Sequence, residues 1–186
     1  MPTVYLSPSL QEYNPYVGGG NEEYYMNLVA DAMEPYLRAS GIDIERNSPE
    51  MSLSQAIADS NAGANTLHLA IHSNASPASS AGQNVGADIY YYPTSQNGER
   101  FANIIKDNYE NIYPNSVETI ASTSLAEVRR TNSPSVLIET AYHDNMQDAN
   151  WIRNIINNIA RSLSESVAEY FGVPFVDPNP WNMMKV

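Results

Sequence analysis

Apolar and polar positions follow two rhythms along this chain. Residues 3–6, 66–72 and 135–139 are short, nearly continuous apolar runs, the pattern of strands buried on both faces of a sheet. Residues 42–46 and 88–92 read as further strands, the latter closed by Pro93, and the irregular stretch 114–124 has room for one more short strand. Between these runs the spacing changes to that of helices. Tyr25, Val29, Ala32, Met33 and Tyr36 mark one face of a helix over 22–40, with Asn21 as its N-cap and Gly41 closing it. Pro35 lies inside that helix and predicts a kink. Ser52 and Gln55 form a capping box that opens a short helix to about residue 60. Phe101, Ile104, Ile105 and Tyr109 predict a helix over 97–113. A last helix over 148–171 carries Ile152, Ile155, Ile156, Ile159, Leu163, Val167 and Tyr170 on its core face. Residues 126–130 read as an edge segment.

Strands alternating with helices define an α/β fold. The expectation is a single domain over 1–172, with a mostly parallel or mixed central sheet of about six strands flanked by helices. A Pro-rich tail, 173–186, follows it. The first connection, 7–20, is long and broken by Pro8, Pro15 and Gly18-Gly19-Gly20; a loop of that length directly after a strand is more often functional than idle.

Composition narrows the function. A formal net charge of −12 argues against nucleic acid and against adhesion to anionic lipid, so a polymeric partner would be neutral or locally cationic. The chain has no cysteine, which removes disulfides, thiolate metal sites and cysteine nucleophiles. No run approaches the roughly 20 apolar residues of a membrane span. Met1 leads straight into the first strand with no leader peptide, so work outside the cytoplasm would need another export route or release by lysis. A monomer is expected.

The candidate chemistry gathers at strand ends. Of three histidines, His68, His72 and His143, His72 closes the 66–72 strand and precedes Ser73-Asn74. Glu139 closes the 135–139 strand, and the first strand runs into the 7–14 loop. In an open α/β sheet such ends meet at one crevice. Glu23, near the start of the first long helix, can lie beside them, although a carboxylate there is also what the helix dipole favours. A histidine, a helix-borne carboxylate and a second carboxylate on a neighbouring strand are the parts of a hydrolytic zinc site. His68, four residues before His72, faces the same way but lies roughly 13 Å down the sheet, as a core or supporting histidine.

Six short motifs occur in order: Val4-Tyr5-Leu6-Ser7-Pro8-Ser9, Glu23-Tyr24-Tyr25-Met26-Asn27-Leu28, Ala70-Ile71-His72-Ser73-Asn74-Ala75, Gly86-Ala87-Asp88-Ile89-Tyr90-Tyr91, Val128-Arg129-Arg130-Thr131, and Pro134-Ser135-Val136-Leu137-Ile138-Glu139 followed by Asn145. Through them the chain resembles the zinc-dependent N-acetylmuramoyl-L-alanine amidases of the amidase-3 type, found in bacterial autolysins, spore-related enzymes and phage endolysins. The resemblance implies His72 and Glu23 as zinc ligands, Glu139 as the glutamate that activates water, and Arg129 near the substrate cleft. The family's first ligand is a histidine in the loop after the first strand, and this chain has no histidine before His68. Tyr13 stands where relatives carry that histidine; Glu12 and His143 are the other candidates. The expected function is hydrolysis of the bond between N-acetylmuramic acid and L-alanine in peptidoglycan, at the bacterial cell wall. The other reading is a peptidoglycan-binding module on the same fold, with a degenerate or metal-poor centre.

Overall fold

The computed structural model describes residues 1–178. Strands β1 (Thr3–Pro8), β2 (Asp43–Arg46), β3 (Leu67–Asn74), β4 (Ala87–Tyr91), β5 (Val117–Ala121) and β6 (Ser135–Tyr142) form one sheet in the order β2-β1-β3-β6-β4-β5. The β1–β2, β1–β3, β3–β6 and β4–β5 pairs are parallel and β4–β6 is antiparallel, so the sheet is mixed. Helices α1 (Glu22–Ala39), α2 (Leu53–Ala62), α3 (Gln96–Tyr109), α4 (Ala126–Arg130), α5 (Met146–Asn154) and α6 (Ile156–Phe171) supply the connections. The α/β class and the six-strand count agree with the sequence pattern.

The two faces of the sheet are covered unequally. Side chains alternate along a strand, so Val4, Leu6, Leu69, Ile71, Val136 and Ile138 enter one large core. That core is roofed by α1, α3 and α6, where Met26, Met33, Phe101, Ile159 and Leu163 are fully buried. The residues in between, among them Ala70 and Leu137, face a much smaller cluster with Val128 of α4. On this second face Tyr5 stacks on His68, with ring centroids 5.3 Å apart. Among the described residues only the short helices α2 and α4 cover it, which leaves an opening toward the C-terminal ends of β1, β3 and β6.

Several local expectations change. Residues 126–130 are a short helix, α4, rather than an edge segment. The last helix is two: Ile155, at φ −129° and ψ 31°, ends α5 and begins α6. The apolar spacing runs unchanged through that break because both helices bury their isoleucines in the same core. Within the tail, Phe175 stacks on Tyr36 at 5.8 Å and the Val176 amide donates to Ser40 Oγ, so residues 173–178 pack back onto α1. The rest of the Pro-rich tail, with Pro180, lies outside the described residues.

The helix α1 runs through Pro35, which is exposed. An interior proline costs a helix about 3 kcal/mol relative to alanine. Pro35→Ala is therefore expected to raise the unfolding free energy by about 1–3 kcal/mol in urea titration, with an unchanged slope.

Candidate active site

His72 of β3 and Glu139 of β6 are register partners, and both strands continue beyond them, to Asn74 and Tyr142, rather than closing there as the sequence pattern implied. Glu139 is also paired across the antiparallel ladder with Asp88 of β4. From β1 comes Ser7, from α4 Glu127, and from the start of α1 Glu22. The pocket above them, about 440 Å³, is lined by Ser7, Gln11, His72, Glu127, Leu137 and Glu139 among others.

The centre is a chain of alternating carboxylates and imidazoles. Glu22 Oε1 lies 3.0 Å from His72 Nδ1, and Glu127 Oε2 lies 3.2 Å from His72 Nε2. The other oxygen of Glu127 is 3.2 Å from His68 Nε2 and also accepts from the Ser7 hydroxyl. His68 is completed by Ser60 Oγ, 2.9 Å from its Nδ1. Glu22 is further held by Asn14, whose Nδ2 donates to Oε2 at 2.7 Å. Gln11 brings its side-chain amide within 3.4 Å of His72 Nδ1. Thr140 donates to the His72 carbonyl and fixes the strand end.

These contacts set the charges. Burial opposes a charge on His72, but its hydrogen bonds to Glu127 and Glu22 outweigh that and hold the imidazole well above its ordinary pKa. Burial likewise opposes ionisation of Glu127 and Glu22, and again the histidine partners win: both carboxyls sit below their usual range, Glu127 far below. Glu139 behaves in the opposite way. Burial, only partly offset by the His72 charge and reinforced by Glu22 and Asp88, pushes it up to about 7. Its Oε2 is out of contact with water and has no hydrogen-bond partner among the described residues.

The residues expected from sequence divide. His72 and Glu139 come together as expected. Glu23 does not: the carboxylate on His72 is Glu22, and Glu23 lines a separate groove outside the pocket. Neighbouring positions on a helix differ by roughly 100° in direction, so one residue decides which carboxylate turns inward. Tyr13 stands at the pocket rim, 74% exposed, and makes no hydrogen bond to Glu22 or His72; Gln11 is the loop residue that reaches them. Arg129 is exposed on α4 and lines a different depression, with Tyr92 and Asn132, because α4 turns Glu127 and Val128 inward instead. Glu12 is exposed beside Glu23. His143 is buried against Tyr16, with Nδ1 3.0 Å from both the carbonyl and the hydroxyl of Ser73, and does not enter the pocket. His68 is the supporting histidine anticipated for it.

The sequence pattern does not single out Glu127, Gln11 or Ser7, whereas Glu22 is the one-residue alternative to Glu23 in the same helix turn. Glu127 had one signal, a charged residue next to Val128 in a segment between two buried strands, but nothing local shows that it turns inward. The donors also test the zinc expectation. A catalytic zinc site has three protein ligands and an open position. Here one imidazole has both nitrogens engaged by carboxylates, and the third position beside Glu22 and His72 is filled by the neutral amide of Gln11. Among the described residues no group of three or more His, Cys, Asp or Glu side chains is arranged to hold a metal ion. The donor set is one ligand short of a three-ligand zinc site.

Comparison with known proteins places the chain. A family model described as N-acetylmuramoyl-L-alanine amidase (Amidase_3) matches residues 10–169. N-acetylmuramoyl-L-alanine amidase LytC of Bacillus subtilis is 25% identical over 178 residues, which is 91% of this chain and 35% of that protein, so the chain spans about a third of its length. The fold is that of the catalytic domain of CwlV, an N-acetylmuramoyl-L-alanine amidase from Bacillus (Paenibacillus) polymyxa var. colistinus: TM-score 0.79, 17% identity, covering 94% of this chain and 100% of that one. The N-acetylmuramoyl-L-alanine amidase AmiC2 of Nostoc punctiforme superposes equally well, with TM-score 0.79 and 17% identity over 92% of this chain and 97% of that chain.

Two predictions follow from the centre. Glu127→Gln removes the anion shared by the two histidines, so the His72 pKa should fall markedly, read by NMR titration of its ring. The sign of the stability change is fixed by the directions above. Depressed carboxyls contribute stability above pH 4.5 that is lost as pH falls, and the raised imidazole contributes stability below pH 6.5 that is lost as pH rises through its folded value. The variant should therefore lose stability most near pH 5–7, and its acid denaturation should be shallower than the parent's. Separately, Gln11→His puts an imidazole beside Glu22 and His72 and should raise zinc affinity at least tenfold in a chelator competition, whereas Tyr13→His should change it little.

Proposed function

The chain belongs to the N-acetylmuramoyl-L-alanine amidase family, and we propose that it hydrolyses the amide joining N-acetylmuramic acid to L-alanine in peptidoglycan, acting at the bacterial cell wall. The observation that supports this most is Glu139. It is a carboxyl on β6 that lines an open pocket, with one oxygen unpartnered and its pKa pushed up to about 7. A group that titrates near neutrality can take a proton from an attacking water and return it to the departing amine. His72, held as an imidazolium, places a fixed positive charge beside the pocket, where it would favour the developing oxyanion. Glu22 and Glu127 maintain that charge and the ring's orientation. Zinc, the cofactor the resemblance implies, would polarise the scissile carbonyl, but this donor set does not make its usual site.

The missing third ligand favours a second reading, a wall-binding module that retains the fold without turnover. One experiment separates the two. Purified protein is incubated with peptidoglycan, and the new ends are identified. Amidase action releases L-alanine amino groups without new reducing sugars; retention on the polymer with no release under any metal condition supports the binding module.

Glu139→Gln should lower turnover by about 10²–10⁴-fold. It should also stabilise the protein. A carboxyl whose folded pKa is raised is penalised once ionised, so the parent loses stability as pH climbs from 4.5 to about 7 and stays weakened above that. The displacement is worth up to about 3 kcal/mol. The variant should melt higher than the parent at pH 8 and equally at pH 4; equal melting at both would remove Glu139 from this role.

A further inference from the structure

A second groove, about 650 Å³, lies on the far side of the 9–14 loop from the pocket. Three elements converge on it: the loop brings Glu12, α1 brings Glu23, Tyr24 and Asp31, and the end of β2 leads into Asn47. Arg46 at its base is engaged by Asp31 at 2.6 Å and by Glu34 at 3.2 Å, so it does not neutralise the rim. Glu12 and Glu23 make no ion pair among the described residues, and the groove is left with a net negative charge.

Asn47 makes this more than an acidic surface. It is 4% exposed, and its Nδ2 donates to the Pro8 carbonyl at 3.0 Å, which fixes the orientation of the amide. The carbonyl Oδ1 is buried and accepts from nothing among the described residues. A buried acceptor without a donor costs about 1–3 kcal/mol. A ligand that donates from an N–H would remove that cost. Tyr24, 56% exposed, and Leu28 give the groove an apolar wall for an aliphatic arm. The aromatic face of Tyr24 also attracts a cation.

We propose that this groove is a subsite for a primary ammonium carried on an aliphatic side chain, the diamino acid of a peptidoglycan stem peptide. Its place is consistent with that occupant. Glu22 and Glu23 are consecutive, one buried against His72 and one in the groove, and Pro8 lines the pocket while its carbonyl holds Asn47. An extended peptide advances roughly 3.3–3.6 Å per residue, so a stem cut at Glu139 can set a side chain two residues on against Glu12 and Glu23. The groove would then select stems by the free amine and position the scissile amide.

The inference rests on the amidase reading for the identity of the peptide but is tested apart from catalysis. Binding of two synthetic muramyl stem peptides, identical except for lysine or norleucine at the diamino position, is measured calorimetrically on the whole chain. The lysine peptide should bind at least tenfold tighter, with the advantage shrinking as salt is added. The double variant Glu12→Gln/Glu23→Gln should reduce that advantage about three- to tenfold, while Asp43→Asn, at the opposite end of the sheet, should leave it unchanged. Equal affinity for the two peptides, or no binding of either, overturns the subsite. Hydrolysis of the lysine peptide is followed in a separate assay: amine-selective binding without cleavage retains the subsite and removes the amidase reading, and cleavage without amine selectivity does the reverse.

Discussion

The centre depends on one buried anion. Glu127 is 3% exposed and has access to almost no water, yet it is held ionised by two imidazoles and a hydroxyl. Such a charge is tolerated only when every oxygen is engaged. That requirement ties three elements together: β1 through Ser7, β3 through His68 and His72, and α4 itself. The carboxylate fixes the ring of His72 from one side while Glu22 fixes it from the other. The imidazole is therefore charged and immobile, and its charge in turn sets the environment of Glu139.

The unequal covering of the sheet explains where chemistry is possible. One face carries three long helices and a continuous apolar core, which supplies most of the stability. The other face carries two short helices and a small apolar cluster, and the strand positions pointing that way are Tyr5, Ser7, His68, His72 and Glu139. Polar groups on this side are afforded by the burial on the other. The result is a carboxyl in Glu139 with one oxygen kept out of water without a partner, an arrangement that destabilises the fold when ionised and that suits a proton-transfer group.

The first loop is where the expected third zinc ligand is replaced. Where a histidine is expected, Gln11 approaches His72, and Asn14 holds Glu22. Both are amides, which orient a carboxylate and an imidazole without adding charge. The same loop separates the pocket from the acidic groove, so it shapes both. Its path is pinned by Arg153, which donates to the carbonyls of Val17 and Gly19, and by the three glycines that follow Val17, all at positive φ.

By itself, the sequence determined the α/β class, the six strands, the capped starts of α1 and α2, and the placing of His72 and Glu139 on neighbouring buried strands, although both strands run on past them, to Asn74 and Tyr142. These follow from periodicity and capping, which are local: a strand buried on both faces is a nearly continuous apolar run, and a helix start shows its cap in the sequence. Tertiary structure alone decided that Glu22 rather than Glu23 turns inward, that residues 126–130 are a helix burying Glu127, that Ile155 divides the last helix, and that Gln11 rather than Tyr13 reaches His72. Each of those outcomes depends on a rotation of about one residue or on a partner more than fifty positions away in the chain. Local pattern carries no record of which face a short segment presents, because that choice is made by the buried histidines and carboxylates it must satisfy.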